Sequence, residues 1–327
     1  MQNDKFRRKY NIVCATDDNY VPICGIMLTS LFKSNPGCYF SVYVLTKGLN
    51  KESKSLLYNS LGKLGGVSGE INICEVDDSV IKKIPVRISF HFTIATFYRF
   101  LIADILHEDV DRVLYLDCDI LVRGDISKLY DIDMTDIAVA ACLQPNGENG
   151  KFISGPIEGV IEPFGYPKRY GYFNVGVLMI NLEYWREHNV ADQLIAYLAD
   201  NYNKCTFLDQ DVLNAVLYNR KKNIPLKYNV MTQFLKGHND TENPYIQENP
   251  VIVHYSGMHK PWDWNVADYP FKKEWEHCRD ISLWSDWKAK FTFKESFKIF
   301  MIKCACRIFG KKRFYFDPVW KKWETTH

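Results

Sequence analysis

The chain has 327 residues, 47% of them hydrophobic and 24% charged, enough to bury a large core as one big domain or as one domain with an appendage. A formal net charge of +2 excludes a dedicated nucleic-acid binder, which carries a strong basic excess. Aromatic residues make up 15%, a surplus that serves core packing first and stacking on sugars or bases second.

Short apolar runs alternate with helix-like segments through roughly the first 260 residues, the pattern of an α/β protein with a largely parallel sheet. Ile12 to Ala15 reads as the first strand, followed by a helix from about Val21 to Lys33. Phe40 to Leu45 is a second strand, Lys51 to Leu64 a helix closed by Gly65-Gly66, and Glu70 to Val76 a third strand. Ile94 to Leu106 reads as a helix, with the strand that leads to Asp117 directly after it. Ile137 to Cys142 is another strand, and Asn146 to Gly171, rich in Gly and Pro, a long loop. Tyr172 to Leu182 is strand-like, Glu183 to Tyr202 a helix, and Phe207 to Tyr218 a short helix whose first turn carries Asp209, Gln210 and Asp211. Val251 to Tyr255 is the last core strand. No GxGxxG or Walker-type loop is present, so the Gly-rich cradles of dinucleotide and P-loop sites are missing.

Residues 113 to 122, Val-Leu-Tyr-Leu-Asp117-Cys118-Asp119-Ile-Leu-Val, are the most informative stretch. On a strand, residues two apart face the same way, so Asp117 and Asp119 would converge. Two convergent carboxylates repel unless a cation lies between them, and a hard divalent ion completes its shell with phosphate oxygens. The competing reading is a strand running into a solvated, Asp-rich turn. Asp17-Asp18-Asn19-Tyr20 follows the first strand, at the end where open α/β sheets hold ligands. It could grip a base or ribose, or form an Asx turn that caps the next helix. His254 ends the last strand, with Gly257 and Lys260 after it. An imidazole could be a third metal ligand, Gly257 would admit a diphosphate to the backbone, and Lys260 would bring it positive charge.

From Ser282 onward the composition changes, with eleven Lys/Arg against four acids and aromatics interleaved. The expected organisation is a catalytic domain over 1–281 and a basic, aromatic tail over 282–327. Phe297, Phe300, Met301, Cys304 and Ile308 share one helical face, flanked by Lys298, Lys303 and Arg307, a pattern that suits the headgroup region of an anionic bilayer. Packing of the tail on the catalytic domain is the alternative. No apolar stretch follows the basic N-terminus, no run reaches membrane-spanning length, and the ten cysteines include no CxxC pair. The expectation is a cytoplasmic protein with reduced thiols, peripheral to the inner face of the membrane.

In chain order, Ala15-Thr16-Asp17-Asp18-Asn19-Tyr20, Thr96-Phe97-Tyr98-Arg99, Leu114-Tyr115-Leu116-Asp117-Cys118-Asp119, Tyr172-Phe173-Asn174-Val175-Gly176, Leu208-Asp209-Gln210-Asp211 and His254-Tyr255-Ser256-Gly257-Met258-His259-Lys260-Pro261-Trp262 resemble the bacterial branch of glycosyltransferase family 8 over roughly residues 10 to 265. The resemblance implies a GT-A fold, with a Rossmann-like mixed sheet flanked by helices. It implies retaining transfer of galactose or glucose from UDP-galactose or UDP-glucose to a glycan or glycolipid acceptor such as lipopolysaccharide core. By the same resemblance Asp117, Asp119 and His254 would hold Mn²⁺ or Mg²⁺, with Ala15, Asp17, Asn19, Tyr20 and Cys118 along the nucleotide. Arg99, Asn174, Asp209 and Gln210 would surround the donor sugar, Gln210 near the anomeric carbon, and Gly257 and Lys260 would bind the phosphates. One departure is Gln144, where some members carry an acidic residue facing the sugars; it bears on the acceptor.

Two other classes use similar parts. A sugar nucleotidyltransferase also pairs carboxylates with a metal, but should show a Gly-rich basic loop near the N-terminus. A non-catalytic sugar-nucleotide or glycan-binding protein would not need the whole set of Asp117, Asp119, His254 and Lys260.

Overall fold

The computed structural model describes residues 8–63, 67–84, 94–148, 151–154, 161–235, 249–257, 260–263, 269–289 and 301. Its strands are β1 (Lys9–Ala15), β2 (Tyr39–Thr46), β3 (Ser68–Glu75), β4 (Arg112–Leu116), β5 (Ile120–Val122), β6 (Val139–Leu143), β7 (Pro145–Glu148), β8 (Lys151–Ser154), β9 (Phe173–Asn181), β10 (Lys221–Asn223), β11 (Val230–Met231) and β12 (Ile252–His254). The main helices are α1 (Val21–Ser34), α2 (Lys51–Lys63), α3 (Leu182–Glu187), α4 (Val190–Asn201), α5 (Asp209–Leu217) and α6 (Lys272–Ile281).

A seven-stranded sheet runs in the order β10-β6-β9-β4-β1-β2-β3. β1 pairs in parallel with β2 and β4, whereas β9 is antiparallel to both β4 and β6. The sheet is therefore mixed, and the direction of β9 matters for the site. A strand parallel to β4 would bring its end to the carboxyl edge; antiparallel β9 brings its beginning there, Val177 opposite Leu116.

Both faces of the sheet are covered. On one face Ile12, Phe40, Val42, Leu114 and Leu116 pack with α1, α6 and a second, three-stranded sheet. On the other, Val13, Val113, Tyr115 and Leu178 pack with α4, α5 and the segment from Ile94. Burial on both faces explains why the central strands read as continuous apolar runs.

Several sequence expectations change in detail. Val113 to Val122 is not one strand. β4 ends at Leu116, residues 117–119 form a turn, and β5 joins the small sheet β11-β12-β5. His254 likewise ends a strand of that small sheet rather than of the main one. The stretch expected as helix from Ile94 is a 3-10 helix over Ile94–Leu101 followed by one α turn, Ile102–Ile105. The helix expected over Glu183 to Tyr202 is two, α3 and α4, because Asn189 adopts a left-handed conformation at φ 50°. Asparagine tolerates that conformation better than most residues. The long loop contains the hairpin β7-β8.

The packed structure continues past residue 281. Trp284 is buried, and its ring lies on Gly25 of α1, where any β-carbon would overlap it. Trp287 meets Trp262 and Trp275 edge to face, with ring centroids 6.5 and 6.3 Å away. The amphipathic stretch Phe297 to Ile308, Met301 excepted, lies outside the described residues. Among the described residues no helix is long and apolar enough to cross a membrane, and none of the eight cysteines is in a disulfide.

Candidate active site

Asp117 and Asp119 converge because of the turn between the two sheets, not because of strand alternation. β12 runs antiparallel to β5 with His254 opposite Ile120, and Tyr255 N–H donates to Asp119 O at 2.9 Å. This pairing carries the His254 ring to the carboxylates: Nε2 lies 3.4 Å from Asp119 Oδ1 and 3.8 Å from Asp117 Oδ2. The remaining carboxylate oxygens face the protein. Asp117 Oδ1 accepts from Arg99 Nη2 at 2.8 Å and Tyr115 OH at 3.0 Å. Asp119 Oδ2 accepts from Lys260 Nζ at 2.6 Å, and Lys260 also donates to Tyr255 O. Each carboxylate is thus anchored by one oxygen and offers the other to a common point.

That donor set fits a divalent cation. The three candidate ligand atoms lie within 4.8 Å of one another, and cis ligands of an octahedral ion at about 2.1 Å would sit roughly 3 Å apart. Gly176 makes room for the arrangement. A β-carbon built there would stand 2.7 Å from His254 Nδ1 and 2.9 Å from Asp117 Oδ2. Burial works against ionisation of Asp119, but the Lys260 ammonium at 2.6 Å holds its carboxyl below the usual range.

Arg99 is a buried strut. Its Nε donates to Thr96 O, its Nη1 to Val175 O and its Nη2 to Asp117, and Nε lies 3.1 Å from Asp209 Oδ2. Asp209 Oδ1 accepts from Thr96 Oγ1 at 2.8 Å. Burial pushes the Asp209 carboxyl up to about 6, against the pull of Arg99. Asp211 is fixed at both oxygens, by Tyr172 OH at 2.5 Å and Phe207 N–H at 2.7 Å. These bonds hold the turn into α5, in which Leu208 takes φ 47°, a conformation that costs a β-carbon-bearing residue about 1–3 kcal/mol.

Buried amides join the two halves of the site. Gln210 Oε1 accepts from Asn174 Nδ2 at 2.9 Å and from Val175 N–H at 3.4 Å, and its Nε2 donates to Gln144 Oε1 at 3.0 Å. Asn174 Oδ1 accepts from Gly176 N–H at 3.0 Å and from Asn229 Nδ2 at 2.8 Å. Asn229 Oδ1 lies 3.1 Å from His254 Nδ1. Gln144 therefore touches Gln210 directly, and an acidic group at its position would find the same Nε2–H to accept.

The other expected residues lie at the same edge. Cys118 is buried with its thiol on Ala15 O at 3.2 Å, tying the turn to the end of β1. Asp17 Oδ1 accepts from Tyr20 N–H at 3.0 Å, closing an Asx turn ahead of α1, whose N-cap Tyr20 makes no side-chain cap bond, while Asn19 is exposed. The Tyr20 ring is exposed and meets Trp262 edge-on at 6.3 Å. Gly257 has φ +87°, a backbone favouring glycine, and a β-carbon there would stand 2.8 Å from Gln233 Oε1. Asn229 carried no sequence signal, since it is a single amide after a 3-10 turn, Leu226–Tyr228. Thr96 and Tyr115 lay inside the recognised segments without an assigned role.

The fold has counterparts among known proteins. A galactosyltransferase LgtC, solved in complex with donor and acceptor sugar analogs, superposes with TM-score 0.70 at 24% identity, covering 88% of this chain and 99% of that one. The fold is accordingly GT-A. The chain is 31% identical over 287 residues to the lipopolysaccharide 1,3-galactosyltransferase of Salmonella typhimurium, covering 85% of this chain and 80% of the relative. It is 30% identical over 291 residues to General stress protein A of Bacillus subtilis, covering 84% of this chain and 94% of the relative. The family model of Glycosyl transferase family 8 matches residues 11–265, and with that span holding every candidate residue above, the chain belongs to this family of glycosyltransferases.

Proposed function

We propose that this enzyme transfers galactose or glucose from UDP-galactose or UDP-glucose to a glycan hydroxyl, with retention of the donor's α configuration and with Mn²⁺ or Mg²⁺ bound. The observation that carries the reading is the convergence of Asp117 Oδ2, Asp119 Oδ1 and His254 Nε2 on one point. A mixed carboxylate–imidazole set favours Mn²⁺ over Mg²⁺. Bound there, the ion would neutralise charge that builds on the β-phosphate as the glycosidic bond breaks.

The residues supply the rest. Lys260 adds a second positive charge beside Asp119, where leaving-group charge develops. Asp17, Asn19, Tyr20, Ala15 and Cys118 line the nucleotide end, and Gly257 the diphosphate. Gln210 Oε1 already receives two N–H donors, which makes a weak nucleophile weaker. Beneath the sugar, it would instead stabilise positive charge on the anomeric carbon. Asp209 and Asp211 are bound to Thr96 and Arg99, and to Tyr172 and Phe207, which disfavours a covalent route through either. The acceptor hydroxyl then attacks from the leaving-group face. The new C–O bond forms as the bond to phosphate breaks, and the departing phosphate takes the hydroxyl proton.

Relatives named as lipopolysaccharide galactosyl- and glucosyltransferases support lipopolysaccharide core, or another cell-surface glycan, as the acceptor. The basic, aromatic segment within 282–327 would bring the site to a lipid-linked acceptor at the cytoplasmic face. The test is hydrolysis without acceptor. Purified protein with Mn²⁺ should release UDP slowly from UDP-galactose or UDP-glucose. Pyrophosphate release from UTP and a sugar phosphate would instead identify a nucleotidyltransferase, and binding without turnover a non-catalytic sugar-nucleotide or glycan-binding protein.

A further inference from the structure

We propose that Asn229 is a positioning residue that sets the His254 tautomer and couples the metal site to Gln210. The inference rests on the metal-dependent transfer proposed above and adds a residue to it.

A backbone N–H can only donate, so Gly176 N–H at 3.0 Å identifies the Asn174 atom it meets as Oδ1. That oxygen also faces Asn229 at 2.8 Å, which must therefore present Nδ2 to it. The Asn229 oxygen is left for His254, and a carboxamide oxygen can only accept, so His254 Nδ1 at 3.1 Å carries the proton. In the neutral ring Nε2 then holds the lone pair, on the side where Asp117 and Asp119 lie. Metal-bound histidines are oriented in this way by the partner of their other nitrogen.

The chain continues in the opposite direction. With Asn174 Oδ1 committed to Gly176 and Asn229, Nδ2 is the atom that reaches Gln210 Oε1 at 2.9 Å. Val175 N–H meets the same oxygen at 3.4 Å and fixes the Gln210 amide independently. Asn229 and Asn174 are both buried, so neither amide has water as an alternative partner. A flip of Asn229 would set its Oδ1 against Asn174 Oδ1, two acceptors with no proton between them. Asn229 thus feeds the metal ligand with one end and the Gln210 support with the other.

Two substitutions separate the ends. Asn229→Ala removes both, and Mn²⁺ affinity should fall about 10–100-fold. Asn229→Asp keeps an acceptor for His254 Nδ1–H but loses the donor to Asn174. Mn²⁺ affinity, measured by calorimetry, should stay near wild type, while kcat at saturating Mn²⁺ falls about tenfold or more with little change in UDP affinity. In the metal-free wild type at alkaline pH, imidazole nitrogen NMR should show His254 protonated at Nδ1. A proton on Nε2 would overturn the inference, as would an Asn229→Asp protein that loses affinity and turnover together or neither. Should Asn229→Ala fail to fold, Asn229→Asp and the wild-type spectrum still decide. A wild type that neither binds Mn²⁺ nor turns over UDP-sugars defeats the proposed function, and this inference with it; wild-type activity with unaltered Asn229 variants defeats this inference alone.

Discussion

Gly176→Ala tests the geometry of the site most directly. Its β-carbon would stand 2.7 Å from His254 Nδ1, 2.9 Å from Asp117 Oδ2 and closer still to His254 Cε1. Ordinary contact needs about 3.5–4.0 Å, so the ring must retreat by about 1 Å or the strand must bend. His254 has no free space behind it, being 4% exposed and bonded to Asn229. Overpacking of this kind costs roughly 1–3 kcal/mol, a fall in Tm of about 2–6 °C for a domain of this size. The functional loss should be larger than the stability loss, since a 1 Å misplacement of a reacting constellation costs about 100-fold. Calorimetric Mn²⁺ titration, UDP release and thermal melting on one preparation measure all three. Gly62→Ala is the control: in α2, with open space at its β-carbon, it should be neutral or slightly stabilising. If Gly176→Ala binds Mn²⁺ and turns over as wild type does, His254 does not stand between Gly176 and the carboxylates, and the metal reading fails with it.

Excess EDTA should abolish UDP-sugar hydrolysis, and Asp119→Ala should abolish it at any Mn²⁺ concentration while circular dichroism stays native; full activity in EDTA contradicts both. Gln210→Ala should lower kcat far more than UDP affinity, and NMR of the first-formed product should show an α linkage, a β linkage ruling out retention. A chain ending at Ala289 should keep metal-dependent hydrolysis but no longer sediment with anionic liposomes at low salt, where surface attraction is strongest. A cut near Asp280 is the wrong one, because it deletes Trp284, and losing a buried Trp costs about 3–5 kcal/mol. A full-length protein that ignores such liposomes would refute membrane docking by the tail.

Much of the fold was readable because its signals are local. β1, β2, α1 and α2 lie within a few residues of where apolar periodicity and turn residues place them. The two-helix form of 182–201 was also readable in principle, since Asn189 is a residue that tolerates the left-handed break. What sequence could not supply was long-range pairing. Nothing in Val113 to Val122 announces that its second half leaves one sheet for another. That switch, with β12 recruited antiparallel to β5, is what carries His254 to Asp117 and Asp119. Asn229 was illegible for a related reason: an isolated buried amide acquires meaning only from its two partners, 25 and 55 residues away in the chain.

The charges explain why these parts belong together. Three carboxylates, Asp117, Asp119 and Asp209, the last raised to about 6 by burial, meet two basic side chains, Arg99 and Lys260. Counted by formal charge, three acids against two bases leave one negative charge uncompensated, and a diphosphate brought to the cluster alone would meet like charge. A divalent ion between Asp117, Asp119 and His254 reverses the sign, leaving one positive charge toward the donor. The same ion removes the repulsion between the two offered carboxylate oxygens, which no protein donor among the described residues bridges. On this account Arg99 and Lys260 do not replace the metal. They hold the outward-facing oxygens so that the inward-facing ones stay available, and on the proposed function the site would become attractive to a nucleotide sugar only once the ion is in place.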